Sequence, residues 1–166
     1  SSDAATAAKL LRALWGIAMS QETLTALLAP LGADMAVCVH GGPAFMSGIG
    51  EQLEPMPGLP PLPVLLVNPR IELSTAAVYR AYRNLGRWMS RPSLDVSSAQ
   101  ALCVGLAGAR NNLQQPAISL CAAIAEVLLT LETAMGCHFA RLCGSGATCF
   151  AVFDSMKSLI SFLIIT

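Results

Sequence analysis

The segment PGLPPLP, residues 57–63, constrains the fold of this chain more than any other feature of the sequence. Proline fixes its own φ angle and has no backbone N–H. A helix interior or a central strand therefore cannot run through four prolines in seven residues. The segment predicts a boundary between two parts, residues 1–58 and 59–166. A chain of 166 residues is long enough for one domain, or for a small domain and a piece of another.

The composition is apolar and electrically neutral, which excludes several classes of protein. Hydrophobic residues make up 54% of the chain and charged residues 12%, with 10 basic and 10 acidic side chains. Disorder needs low hydrophobicity and high net charge, and a nucleic-acid surface needs an excess of Lys and Arg. The most apolar stretch, residues 159–165, is much shorter than the roughly 18 residues of a membrane span, and the first ten residues lack the layout of a signal peptide. We therefore expect a globular chain that binds neither nucleic acid nor membrane.

The cysteines predict the chemical environment of the protein. The six stand at positions 38, 103, 121, 137, 143 and 149, without a CxxC pair, and the two histidines are not placed to complete a zinc site. Most have apolar neighbours, where a free thiol behaves as a small hydrophobe. We expect buried, reduced thiols and a reducing, cytoplasmic compartment. The alternative is a redox role for the evenly spaced Cys137, Cys143 and Cys149, which have no obvious activating neighbour.

The first part of the chain carries signals for two helices and a hairpin. An alanine-rich run at 4–14 follows Ser1, Ser2 and Asp3, which are good residues for opening a helix. Ser20 caps a second helix that ends near Pro30 and Gly32. Residues 44–46 and 52–56 can pair as a hairpin across the turn at 47–50.

The second part carries strand and helix signals in an order that predicts an α+β fold. A buried strand is expected at 64–67, followed by a helix from the Ser74 cap to about Tyr82 and an irregular stretch at 85–98. One long helix is expected from Pro116 to Ala134. Strands at 140–142 and 148–153 then flank a tight turn, and the tail from 156 is weakly helical or strand-like. We expect the strands at 64–67 and 148–153 to share one sheet.

Three segments can carry chemistry, and each has a structural alternative. The opening segment can bind an anion at a helix start, or can simply cap the helix. Asp34, beside an apolar segment, is either functional or hydrogen-bonded to turn amides. The GSG turn can bring backbone amides close to an anion, or can be an ordinary hairpin turn. The residues concerned are Ser1, Ser2, Asp3, Asp34, Gly144, Ser145 and Gly146.

Taken together, the three segments resemble the GHMP family of small-molecule kinases. The order is SSDAATAA at a helix start, GAD about thirty residues later and GSGATCF near the end. Longer matches, LGADMAVCVHGGPAF, VLLVNPRIELSTAAVYRAY, NNLQQPA and ARLCGSGATCFAVFDS, favour members that phosphorylate a cytidyl-linked methylerythritol in the non-mevalonate isoprenoid pathway. The resemblance implies that residues 1–58 are the end of the N-terminal, S5-like ATP-binding domain. It implies a ferredoxin-like C-terminal domain at 59–166.

The resemblance also implies roles for individual residues. Asp34 corresponds to the catalytic aspartate that accepts or orients the proton of the attacking hydroxyl. Ser1, Ser2 and Asp3 would lie at the phosphates of ATP, with Ser2 as a ligand of Mg²⁺. Gly144, Ser145 and Gly146 would close around the reaction centre, and Thr75 would contact the small-molecule substrate. The cofactors implied are ATP and Mg²⁺, and the sequence indicates no oligomeric state.

Several positions depart from the family pattern. Ala36 replaces a usual proline, Arg70 a frequent glycine and Cys143 a frequent serine, while Asn112 and Gln114 replace two acidic residues. The resemblance begins inside the second family motif and ends after Ser155. We therefore expect a piece of a kinase that lacks the early lysine and the glycines of the phosphate loop. The alternative is a degenerate remnant that acts, if at all, as a non-catalytic binding module.

Overall fold

The computed structural model describes residues 2–56, 58–82 and 92–165. The chain divides into two compact units, Ser1–Leu59 and Pro60–Thr166. The division lies inside the proline-rich segment, where the boundary was expected. That the first unit is the end of an ATP-binding domain stays a prediction. Among the helices of the described ranges, none has both the length and the apolar character that crossing a membrane requires.

Within its described residues, the first unit contains three α-helices and a hairpin. The elements are α1 (Ser2–Leu14), α2 (Gln21–Leu28), a 3₁₀ turn (Ala29–Leu31), α3 (Met35–His40), β1 (Ala44–Ser47) and β2 (Gln52–Pro55). Ser20 caps α2 as predicted, since its hydroxyl accepts a hydrogen bond from the Thr23 amide at 3.1 Å. β1 and β2 pair antiparallel, with Phe45 opposite Glu54.

A small apolar core joins the three helices of the first unit. Its buried members are Ala5, Leu24, Leu28, Met35 and Val39. The sequence indicated only turns around the apolar segment after Asp34, and this segment forms α3. The helix ends at Gly41, whose φ of 75° is the left-handed conformation that glycine adopts without steric cost.

The second unit contains a three-stranded sheet and five helices within the described residues. The elements are β3 (Val64–Val67), α4 (Thr75–Ala81), α5 (Ala99–Ala107), α6 (Gln114–Leu120), α7 (Ala123–Glu132), β4 (Cys137–Leu142), β5 (Cys149–Phe153) and α8 (Met156–Ile165). The strand order is β3-β5-β4, and both pairings are antiparallel. Leu65 lies opposite Ala151, so the two strands expected to share a sheet do so. The α+β fold class is confirmed.

The prediction of one long helix from Pro116 to Ala134 was wrong. Cys121 is extended, with φ −146° and ψ 93°, and separates α6 from α7. α6 contacts α4, whereas α7 contacts β4 and β5. One straight helix could not reach both surfaces, so packing overrides the continuous helical pattern.

Two further elements differ from the expectations. α5 was not anticipated, although Ser98 caps it by accepting a hydrogen bond from the Ala101 amide at 3.1 Å. Residues 85–91 of the stretch expected to be irregular lie outside the described residues, and residues 92–98 form neither helix nor strand. The tail forms α8, which packs on β5 through buried Leu159 and through Phe162, whose ring centroid lies 6.0 Å from that of Phe153.

Arg70 occupies a backbone conformation that suits glycine, the residue frequent here in the family that the sequence resembles. Its φ is 59°, and its amide donates to the Asn68 carboxamide oxygen at 2.7 Å. A side chain in the left-handed region costs about 1–2 kcal/mol, whereas glycine in regular structure costs roughly 0.5–1 kcal/mol relative to alanine. We therefore expect Arg70→Gly to be more stable than Arg70→Ala by roughly 1 kcal/mol in urea denaturation, the reverse of the usual order. Equal stability, or a more stable alanine variant, would contradict the account.

Candidate functional site

The glycine loop, defined here as residues 143–148, is a tight turn between β4 and β5. The Cys143 amide donates to the Thr148 carbonyl at 2.8 Å, and the Gly146 amide donates to the Cys143 carbonyl at 3.0 Å. Gly144 and Gly146 have φ angles of 57° and 90°. A Cβ at Gly146 would lie 2.9 Å from Leu142 Cδ1. Glycine is therefore required at position 146 both by the backbone conformation and by the packing below the loop.

Polar side chains from outside the turn hold the glycine loop at its two ends. At the entry, the Asn111 carboxamide donates to the carbonyls of Leu142 and Gly144, at 3.0 and 2.6 Å. At the exit, the Asn68 carboxamide donates to the Thr148 hydroxyl at 2.8 Å. Side chains far away in sequence thus restrain the loop at both ends.

Thr75 and Ser145 lie together in the second unit. Their hydroxyl oxygens are 2.9 Å apart across 70 residues of sequence. Thr75 is the first residue of α4, and the Ser74 hydroxyl accepts from the Ala77 amide at 3.3 Å, so the helix start sets the position of Thr75. Two hydroxyls beside a glycine turn can donate to phosphate or alcohol oxygens.

Asp34 stands at the start of α3 with an exposed carboxylate. The side chain makes no capping hydrogen bond, and only the backbone carbonyl of Asp34 serves the helix, by accepting from the Cys38 amide at 3.1 Å. The preceding residue, Ala33, packs closely against the hairpin turn. A Cβ at Gly50 in that turn would lie 2.6 Å from the Ala33 carbonyl oxygen. The backbone of this segment is thus packed against the hairpin turn, while the Asp34 carboxylate is exposed and makes no capping hydrogen bond.

The other predicted phosphate-side residues lie at the start of α1. Ser2 and Asp3 are exposed in its first turn, and Ser1 lies outside the described residues. Hydroxyl and carboxylate oxygens are the hard donors that Mg²⁺ prefers, and this ion commonly takes only one or two protein ligands besides substrate phosphates. Ser2 and Asp3 therefore fit the ion chemically. Within the described ranges, no group of three or more His, Cys, Asp or Glu side chains could hold a metal ion.

A cleft of about 600 Å³ opens in the first unit beside the Asp34 segment. Its wall includes Ala33 and Ala36 on either side of Asp34, together with His40 and Glu51. Asp34 itself does not line the cleft. Ala36, at the position where the family pattern has proline, is buried and lines the cleft.

The cysteines differ in exposure, and this predicts their order of reaction. Cys143 is exposed at the entry to the glycine loop, and no described cysteine is paired in a disulfide. Burial, with a smaller contribution from Cys143, raises the pKa of the Cys149 thiol to about 11. Because the thiolate is the nucleophile, we expect iodoacetamide at pH 8 to label Cys143 and to spare Cys149 until the chain is unfolded. Peptide mass spectrometry measures the order, and equal labelling of both in the folded chain would contradict it.

Comparison with known proteins identifies a family domain in the second unit. The sequence profile described as "GHMP kinases C terminal" matches residues 80–161. The chain is 41% identical over 155 residues to a 4-diphosphocytidyl-2-C-methyl-D-erythritol kinase of Paramagnetospirillum magneticum, covering 92% of this chain and 54% of that protein. The enzyme of the same name from Rhodospirillum rubrum is 43% identical over 159 residues, covering 95% of this chain and 52% of that protein. Residues 80–161 are therefore a GHMP kinase C-terminal domain.

A solved structure agrees with this comparison. A crystal structure of a 4-(cytidine 5'-diphospho)-2C-methyl-D-erythritol kinase superposes with a TM-score of 0.75 at 30% identity, covering 98% of this chain and 59% of the other. The chain thus spans about half the length of the curated relatives that it matches. The expectation that the family resemblance ends after Ser155 was wrong, because the profile continues to residue 161, inside α8.

The residues that anchor the glycine loop were missed in the sequence analysis. Asn68 and Asn111 lie within the quoted segments VLLVNPRIELSTAAVYRAY and NNLQQPA, but nothing in those segments indicates which backbone groups the carboxamides reach. The sequence analysis noted Gln114 only because it replaces an acidic residue of the family pattern and so removes a negative charge. Its side-chain oxygen accepts from the Leu142 amide at 3.0 Å, a contact that a glutamate could also make.

Proposed function

We propose that the protein carrying this chain is an ATP-dependent kinase that phosphorylates a hydroxyl of 4-diphosphocytidyl-2-C-methyl-D-erythritol, a step in isoprenoid synthesis. The observation that carries the proposal is the contact between Thr75 and Ser145 at the glycine loop, with 2.9 Å between their hydroxyl oxygens. This contact joins Thr75, which the family resemblance assigns to the substrate, to Ser145, which the resemblance assigns to the phosphates of ATP. The printed names of the relatives support the choice of substrate.

The mechanism assigns one task to each group of residues. Phosphoryl transfer depends mainly on positioning and on neutralising charge, so the protein needs few reacting groups. Amides of the glycine loop and the Ser145 hydroxyl would bind phosphate oxygens, while Thr75 would orient the acceptor alcohol. Asp34, whose carboxylate is exposed and has no capping bond, would accept the proton of the attacking hydroxyl.

The helix start at Ser2 and Asp3 completes the proposed set, with Ser1 before it. Their oxygens would hold Mg²⁺, which neutralises phosphate charge when bound. Free amides at the first turn of α1 would add donors for the nucleotide phosphates.

The departures from the family pattern leave the loop intact, which favours a kinase over a degenerate remnant. Gln114 keeps the hydrogen bond to Leu142 despite its lost charge. Arg70 adopts the backbone conformation suited to the glycine that it replaces. Cys143 is exposed, and its backbone groups make the hydrogen bonds that close the loop. We also infer a reducing compartment such as the cytoplasm from the three buried free thiols, Cys103, Cys121 and Cys149.

The test is an assay of the purified protein at its full encoded length with Mg²⁺ and labelled ATP. Transfer of one phosphoryl group to 4-diphosphocytidyl-2-C-methyl-D-erythritol, but not to homoserine or mevalonate, is the expected result. Mass spectrometry of the product identifies the added group. A folded protein that transfers phosphate to none of these alcohols would support the remnant instead.

A further inference from the structure

The Asn111 side chain makes three hydrogen bonds to backbone groups. It lies between α5 and α6, and its carboxamide N–H groups donate to the carbonyls of Leu142 and Gly144. A carboxamide nitrogen has two N–H donors, so these two bonds use both. These two hydrogen bonds bind the backbone on either side of Cys143, where β4 ends and the glycine loop begins.

The orientation of this carboxamide is fixed from its other side. The Asn111 side-chain oxygen accepts from the Leu113 amide at 2.9 Å, so a flipped side chain would lose all three bonds. Gln114, one turn further along, accepts from the Leu142 amide at 3.0 Å. The carbonyl and the amide of Leu142 are therefore hydrogen-bonded to the side chains of Asn111 and Gln114, which lie just before and at the start of α6.

Side-chain packing does not restrain Gly144, the second residue of the glycine loop. Gly144 has no side chain, and no described atom beyond Gly144 and its two chain neighbours lies within 4 Å of the place where its Cβ would be. Side-chain packing therefore cannot hold this residue. A loop that binds phosphate through its amides must be held close to the binding geometry, because ordering it on binding would weaken affinity.

We propose that Asn111 is a positioning residue that holds the glycine loop in the conformation required for phosphate binding. The inference rests on the proposed function, since it assigns a consequence to a loop proposed to bind phosphate. Asn111 acts through Leu142 and Gly144 and does not itself touch nucleotide or substrate.

The chain offers a matched pair of variants that isolates this role. Asn111→Asp keeps the shape and the acceptor for Leu113 but removes both donors and places negative charge against two carbonyls. Asn112→Asp makes the same chemical change one residue along, at a side chain without a hydrogen bond to the described residues. If Asn111→Asp does not fold, Asn111→Ser is the second variant, because it shortens the donor without adding charge.

The first measurement is hydrogen exchange of the Cys143 and Gly146 amides, which close the loop. We expect Asn111→Asp to speed their exchange at least tenfold and Asn112→Asp to leave it within twofold. The second measurement is kinetics of the full-length protein, in which Asn111→Asp should raise the KM for ATP about tenfold and lower kcat, with KM for the alcohol changed least.

Each outcome has a distinct meaning. Unchanged loop exchange in Asn111→Asp would overturn the inference whatever the kinetics show. Faster exchange with an unchanged KM for ATP would also overturn it and would leave the proposed function standing. An unsubstituted full-length protein without kinase activity would overturn the proposed function, while the exchange data would still decide whether Asn111 holds the loop.

Discussion

Asp34→Asn is expected to lower the kinase turnover proposed for the full-length protein by roughly 100- to 10,000-fold, the range typical of a lost general base. The substitution keeps the shape of the side chain and removes the proton acceptor. Asp34 is exposed and makes no capping hydrogen bond, so its loss should change stability little. Nucleotide affinity should also change little, because phosphate binding is assigned to the glycine loop and the start of α1. Turnover and thermal unfolding are measured together on the same preparation.

A matched control separates catalysis from general charge effects. Glu126→Gln removes one negative charge from an exposed position on α7, outside the proposed site, and should leave turnover within twofold. If Asp34 instead stabilises its turn, Asp34→Asn would lower the melting temperature and spare the turnover of the folded fraction. That result would remove Asp34 from the mechanism.

Phe153→Ala is expected to destabilise the second unit by about 4 kcal/mol, within the usual range for buried aromatic truncations. Phe153 is fully buried at the end of β5, opposite Cys137 of β4, and its ring lies against Phe162 of α8. Truncation leaves a cavity where sheet and helix meet. Urea denaturation followed by circular dichroism measures the loss.

Leu163→Ala is the control for this prediction. Leu163 belongs to the same helix α8 but is 52% exposed, so its truncation should change stability by no more than about 0.5 kcal/mol. If Phe153→Ala lowered the free energy of unfolding by less than about 1 kcal/mol, Phe153 would not lie in a packed core between the sheet and α8. The tail would then lack the role that its packing indicates.

Much of the local structure could be predicted from the sequence because its signals act over a few residues. Ser20 and Ser74 each accept a hydrogen bond from an amide three residues later, as a capping serine does wherever it opens a helix. Glycines at 48 and 50 allow the positive φ angles of the hairpin turn. The same reasoning failed at Cys121, where no local residue marks the end of α6.

The candidate site could be predicted only in part. Family motifs singled out Asp34, Thr75 and Ser145 but not the residues that hold the loop. The contact between Thr75 and Ser145 depends on β3 and β4 flanking β5 in one sheet, which brings the start of α4 beside the glycine loop. No spacing along the chain predicts such a distance.

The sequence by itself determined the division at the proline-rich segment, the starts of α1, α2 and α4, and the two hairpin turns, because each depends on backbone preferences of neighbouring residues. Only the tertiary structure decided where α6 ends, which carbonyls Asn111 reaches and how Thr75 meets Ser145. These depend on helices packing against a shared sheet, since contacts across 31 to 70 residues form only where buried apolar surfaces fix the elements in place.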